Sequence, residues 1–472
     1  MNNSQVITTN KGNPLGWERI SKLLFKFSLP GIVSMLINSL YNIVDQIFIG
    51  QGVGYLGNGA TSVVFPMMTI ALAFSLLIGD GAASYMSLML GVKNEKEAAK
   101  GVAVATWGAW ALGALVGIIF AIFIEPLCWL CGSTELILPY AKEYGLIIAL
   151  GMPVASVSVA YAGFIRADGS PIYNMIGLIL GCVTNIVLDY LFVIVWGWGV
   201  AGAAWATVIG QALNAIMYVV YLFRLKNVKL TKNIIKESFS CFFKVTKLGI
   251  SSFINQSLVV ILVILQNNLL KEYGALSKYG AEIPMTALGV TMKLFNIIMA
   301  VLIGLSGGSQ PIWGYNYGSG QRDRVKKTFV YAAVVGTAVM VIAFAIFQLF
   351  PEPVVSVFGH EDALYTEFSV LSLKIYLCAL PIFAIRMLTS SLLQSVGKSI
   401  LGAFISFSKQ VLIQIPAMYI LAPKYGVIGI LWSGPISDVV SCLFSVIILL
   451  FNAKDIFKKP HRLEEYKGEE SL

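Results

Sequence analysis

Apolar residues fill this chain in twelve long stretches separated by short polar turns. They cover 23–49, 59–90, 101–124, 138–163, 172–196, 200–223, 245–270, 284–314, 328–350, 364–392, 399–421 and 427–452. Each is near the ~20 residues that cross a bilayer as a helix. The second, eighth and tenth exceed 25 residues and are expected to extend beyond the hydrocarbon. The pattern predicts an all-α, polytopic membrane protein of 12 transmembrane helices.

The two halves repeat. "LLIG" (76–79) pairs with "VLIG" (301–304), and "GVKNEKEAAK" (91–100) with "GSGQRDRVKK" (318–327). "RADGSP" (166–171) pairs with "QSVGKS" (394–399), and "WGVAGAAW" (198–205) with "YGVIGILW" (425–432). The offset stays between 225 and 228, which chance recurrence of small-residue motifs does not produce. Six spans separate the copies, so both start on the same side of the membrane. This is a parallel repeat of two six-helix lobes about an axis along the membrane normal, a layout of transporters that rock two halves around a midplane cavity. The expected organisation is a lead-in (1–22), an N-terminal lobe (23–223), a basic linker (224–244), a C-terminal lobe (245–452) and a tail (453–472).

Composition agrees with the pattern. Of 472 residues, 57% are hydrophobic and 12% charged, against about 25% charged in soluble proteins. The net charge of +9 gains meaning from its placement. With the N-terminus inside, the inner segments hold 25 Lys and Arg and the outer loops 3. The positive-inside rule then puts both termini in the cytoplasm of a cell inner or plasma membrane. The basic residues lie on short loops, not on a soluble face, so a nucleic-acid partner is not expected. The leader Met1 to Asn13 followed by "NPLGWERISKLLFKFSLP" is not expected to be a cleavable signal. Six cysteines are scattered, and only "CWLC" (128–131) has suggestive spacing. Packing is its expected role and a disulfide the alternative. A zinc site is not expected, because His360 and His461 are remote. No metal or cofactor is expected.

Several motifs resemble a known family. "LYNIVDQIFIGQGVG" (40–54), Pro66, "GVKNEKEA" (91–98) and "SQPIWGYNYGSGQRDRV" (309–325) look like the MATE family, multidrug and toxic compound extrusion, in its MepA-like and DinF-like branches. The resemblance covers nearly the whole chain. It implies two six-helix lobes around a cavity and export of organic compounds by antiport with H⁺ or Na⁺. The implied partners are organic small molecules, the coupling cation and the bilayer, with the chain acting as a monomer and not as an enzyme.

Charges inside spans are the candidate chemistry. Asp45 lies about five residues from the outer end of the first span, Asp189 late in the fifth, and Asn185 one turn before it on the same face. Thr207 lies about seven residues into the sixth span. These four oxygen-bearing side chains share one depth, which suits a proton or a hard cation. A structural polar network is the bland alternative, but such contacts average only ~0.6 kcal/mol between membrane helices. The resemblance implies the same cation or proton site: an aspartate in the first span (Asp45), Asn-x-x-x-Asp in the fifth (Asn185, Asp189) and a threonine in the sixth (Thr207). It also matches Tyr41 and Pro30, the proline being associated with bending of the first span.

Asp80 in "IGDGAAS" lies near the cytoplasmic side, where a structural or gating role is expected. The C-terminal half differs. The repeat equivalents of Asn185 and Asp189 fall near Ile413 and Ala417, so no second cation site is expected by symmetry. The seventh span carries no acid and offers only Gln256, Gln266 and Asn267, which departs from NorM-like members. Lys293, Lys374, Lys409 and Asp438 are expected to be buried there, as a salt bridge or as residues shaping substrate charge preference, with Arg386 deeper. "GYNYGSG" (314–320) lacks the lysine-Ser/Thr of a nucleotide loop, so no nucleotide partner is expected. Two rivals stand beside an exporter. One is a lipid-linked saccharide flippase of the same superfamily, which prefers fourteen spans. The other is a membrane enzyme, which would need a catalytic cluster.

Overall fold

The computed structural model describes residues 13–280, 282–356 and 363–458. His360, His461 and most of the tail lie outside the described residues. Helices dominate throughout, in the order the apolar pattern predicts. The first four spans are Ile20–Gly52, Tyr55–Gly91, Glu95–Ile122 and Leu138–Ala167. Pro171–Val195 and Gly199–Arg224 complete the first lobe. The second lobe begins with Phe242–Ala275, Glu282–Gly318 and Arg322–Leu349. The tenth span is not one long helix. It is broken into Ala363–Tyr376 and Leu380–Ser395, bent by 51°. The final helical run, Ser399–Phe457, is 59 residues long. At 1.5 Å per residue it would exceed twice the ~30 Å hydrocarbon thickness, and Gly426 breaks it at φ 58°, ψ −140°. It is therefore the eleventh and twelfth spans, and the described residues hold twelve.

Turn chemistry explains why the sequence repeats. The chain reverses at left-handed positions that recur in both halves: Gly54 and Gly280, Lys93 and Gly320, Gly169 and Gly397, Gly199 and Gly426. A side chain with a Cβ is disfavoured at positive φ, so glycine recurs at seven of these eight places. The turn at 91–100 also starts a helix: Asn94 caps it by accepting from the Glu97 N–H at 3.1 Å. The linker after the sixth span carries a short helix, Lys232–Glu237, tied back by Glu237 to Lys96 (3.1 Å) and Lys100 (3.3 Å).

Within each lobe, apolar side chains pack between helices. Between the lobes one apolar cluster continues from Leu24, Phe27 and Met89 to Leu305, Ile312 and Trp313, and glycines let the backbones cross closely there. Gly31 meets Gly304, Gly308 meets Phe27 and Ser28, and Gly249 lies against the Leu77 carbonyl. Gly91 lies against Tyr315 and Gly318. A Cβ at any of these would meet backbone of the other lobe at less than 3.0 Å. All of them sit toward the end of the bundle that carries the basic loops. The first and second spans thus pack on the eighth and seventh at that end.

The thiols of Cys128 and Cys131 are both free, with Cys128 fully buried. The packing role holds for Cys128, and the alternative of a disulfide does not.

Candidate functional site

The depth-matched oxygens of the N-terminal lobe come together. Asp45, Asn185, Asp189 and Thr207 are all buried, Asp189 completely. Two local features set their positions. Gly181 and Gly210 let the fifth and sixth spans touch backbone to backbone, a Cβ on either falling within 2.9 Å of the other's carbonyl. That approach brings Asn185 Nδ2 to donate to Thr207 Oγ1 at 3.4 Å. Gly52 meanwhile lets the first span lie against Val193 of the fifth. Immediately after Asp189 the fifth span widens into a π-turn, Tyr190–Val195, a distortion that tends to occur at functional sites.

The Asp45 and Asp189 carboxyl groups contact one another. Asp45 Oδ1, both Asp189 oxygens and Asn185 Oδ1 accept no hydrogen bond. Two carboxylates in contact repel unless a proton or a cation lies between them, and the pair then titrates as a unit. Four acceptor oxygens without donors, beside the Thr207 hydroxyl, form a set that fits H⁺ or a hard monovalent cation. Tyr41 is close enough to interact with both carboxyls. Tyr144 of the fourth span was not foreseen. It is buried, interacts with Asp45 and Asp189, and lies within hydrogen-bonding reach of Thr207. Pro30 is buried inside the first span, next to the Gly31–Gly304 crossing.

Asp80 sits elsewhere, at the lobe contact. Ser252 Oγ of the seventh span donates to Asp80 Oδ2 at 2.6 Å, and Gln394 Nε2 of the tenth donates to Ser252 Oγ at 3.0 Å. Arg166 at the end of the fourth span attracts the Asp80 carboxylate. Asp80 thus links the lobes and is separate from the carboxyl pair.

The C-terminal lobe requires a correction. Lys293 and Lys374 are exposed, not buried. Only Lys409 pairs with Asp438, Nζ to Oδ1 at 2.7 Å, with Arg386 Nε 3.9 Å from the same oxygen. Both cations lie over the Phe383 ring. The eleventh span also holds a π-turn, Ser408–Gln414. In it Gln410 and Gln414 are buried one turn apart, as Asn185 and Asp189 are in the other lobe. Gln414 and the buried Gln266 both lie close to the Tyr376 hydroxyl. The repeated position therefore holds neutral amides.

The MatE family model matches residues 30–191 and 274–420. The multidrug export protein MepA of Staphylococcus haemolyticus (strain JCSC1435) is 28% identical over 458 residues, covering 92% of this chain and 94% of that protein. Among solved structures, the MATE multidrug transporter DinF-BH is 30% identical with a TM-score of 0.84, covering 92% and 96% of the two chains. An outward-facing multidrug resistance MATE family transporter of the MOP superfamily superposes with a TM-score of 0.83 at 21% identity, covering 96% of this chain and 100% of that one.

Proposed function

This chain belongs to the MatE family and is a multi-pass efflux transporter of that family, and we propose that it is an antiporter in which Asp45 and Asp189 carry the coupling cation. The observation behind this reading is the buried carboxyl–carboxyl contact, with its acceptor oxygens left without donors. Such a contact takes up a proton readily, so H⁺ is the favoured ion and Na⁺ its competitor. Asn185, Thr207 and Tyr144 act as neutral groups around it, and Tyr41 lines its approach.

The cycle alternates access between the lobes, with both termini cytoplasmic and the basic end inside. The lobes are packed together at that end, so the carboxyl pair is reached from outside. Cation uptake neutralises the pair and removes the cost of a buried charge. The first span then bends at Pro30, where a backbone hydrogen bond is missing, and displaces substrate from between the lobes. The glycine seam opens, and the cation leaves to the cytoplasm. One cation moving down 100 mV supplies ~2.3 kcal/mol, which sustains about a 50-fold gradient of a neutral substrate. The cargo is an organic small molecule, as in the multidrug exporters that match.

Transport by the purified chain in proteoliposomes, with a pH or a Na⁺ gradient imposed separately, tests this reading. Export driven by the pH gradient alone supports H⁺ coupling, and export driven only by Na⁺ replaces H⁺ by Na⁺ at the same site. Export indifferent to both gradients would remove the antiport reading.

A further inference from the structure

We propose that the substrate is an organic anion whose charge is met by Lys293, an inference that rests on the export function above. The lobe interface is built from the first, second, seventh and eighth spans. Across 27–52, 56–91, 248–270 and 283–318 these carry only three charged residues: Asp45, Asp80 and Lys293. Asp45 is buried against Asp189 inside the N-terminal lobe. Asp80 lies at the closed basic end and accepts from Ser252. Lys293 is exposed and has no ion-pair partner among the described residues.

Helix phase says where Lys293 points. It precedes Gly304 by eleven residues, about three turns, which returns it to within ~20° of the same face. Gly304 is the residue that meets Gly31 of the opposite lobe. The reverse face packs inward: Thr291 bonds Ser372 at 3.0 Å and Phe295 meets Phe383, both on the tenth span. No proline interrupts the helix between Lys293 and Gly304; its one internal proline below this stretch is Pro311. Beside Lys293, a Cβ on Gly289 would meet nothing within 4 Å, and Asn296 is exposed. The face that seals the lobes at the basic end therefore opens about 16 Å further out into a cleft, with an ammonium projecting into it. Asn42, eleven residues beyond Gly31, is exposed at the same height on the other wall.

No carboxylate offsets that ammonium on the same wall. Asp438 of this lobe is already met by both Lys409 and Arg386, which leaves that cluster with one positive charge in excess. A cleft lined by one sign of charge between low-dielectric walls concentrates ligands of the opposite sign. The fitting cargo is amphipathic, with an apolar body and a carboxylate or sulfonate.

The test uses the full chain in proteoliposomes with a pH gradient and a Na⁺ gradient imposed in turn, loaded with fluorescein as the anion or ethidium as the cation. The wild type should export the anion at least about tenfold faster than the cation. Lys293→Gln should bring that ratio near unity, and Lys293→Arg should retain it. Lys374→Gln should leave the ratio unchanged, because Lys374 lies beside Gln348 of the ninth span. Monodisperse size-exclusion profiles establish that each variant is folded. Faster export of ethidium, or a ratio unmoved by Lys293→Gln, overturns the proposal while leaving the exporter intact. Absence of gradient-driven export of both dyes overturns the antiport reading and this one with it.

Discussion

Replacing Asp45 by asparagine should separate stability from activity. The substitution keeps the side-chain shape and adds two N–H donors. In the native protein, both Asp189 oxygens and Asp45 Oδ1 accept no hydrogen bond. An unsatisfied buried polar group costs about 1–3 kcal/mol. An amide that donates to Asp189 recovers part of that and removes the repulsion within the pair, so Asp45→Asn should be more stable than wild type by about 1–3 kcal/mol. Transport should go the other way. An asparagine exchanges no proton, and the ~2.3 kcal/mol available per 100 mV no longer reaches the substrate. Accumulation should fall from about 50-fold to equilibration. Thermal unfolding in detergent reads the first effect, and energised efflux normalised to surface expression reads the second. Asp189→Asn should behave alike, and the double variant should be little worse than either, since residues that act as a unit are not additive. Undiminished gradient-driven export by Asp45→Asn at normal expression, or a loss of stability, would refute the reasoning. The carboxyl would then be one more polar contact between helices.

Asp438→Asn leaves Lys409 and Arg386 buried without their counter-charge and should destabilise the protein by about 3–5 kcal/mol, measured as the unfolding midpoint in detergent. Asp80→Asn keeps an oxygen for Ser252 and should cost no more than about 1 kcal/mol in stability, with export reduced far less than by Asp45→Asn in the same efflux assay. Cysteines placed at Asn94 and Gln321, in two of the basic turns, should react with an impermeant maleimide only after the membrane is opened. Labelling of either in intact cells would reverse the orientation.

Depth was readable in the sequence, and azimuth was not. Residue counts from the span ends place Asp45, Asn185, Asp189 and Thr207 at one level, and the helices bring them together there. The same counting put Lys293 and Lys374 among buried lysines, yet both are exposed. A span apolar on most sides gives no stripe to tell cleft from lipid or from a neighbouring helix. Tyr144 escaped notice for a related reason: a tyrosine in a membrane helix has no spacing signature, and only the fold sets it beside Thr207. The buried glutamines 410 and 414 were masked by the π-turn that holds them, Ser408–Gln414, which shifts the register between the halves. The repeat itself was legible because three of its four motifs fall at turns, where left-handed backbone restricts the choice of residue, while LLIG and VLIG lie within helices.

The glycine seam at the basic end has a consequence for how the protein evolves. Every glycine codon becomes an alanine codon by a single base change. At Gly249, Gly304 or Gly318 the added methyl would fall on backbone of the other lobe, and overpacking of that kind costs about 1–3 kcal/mol. That penalty applies only while the seam is shut. In the alternating-access cycle proposed above, one base change would therefore shift the balance between the two access states by roughly 5- to 150-fold, without touching the carboxyl pair. A lineage under chemical stress has a short mutational path to a different duty cycle with the same cargo range. The same positions supply the mildest lesions for holding the exporter in its opposite state.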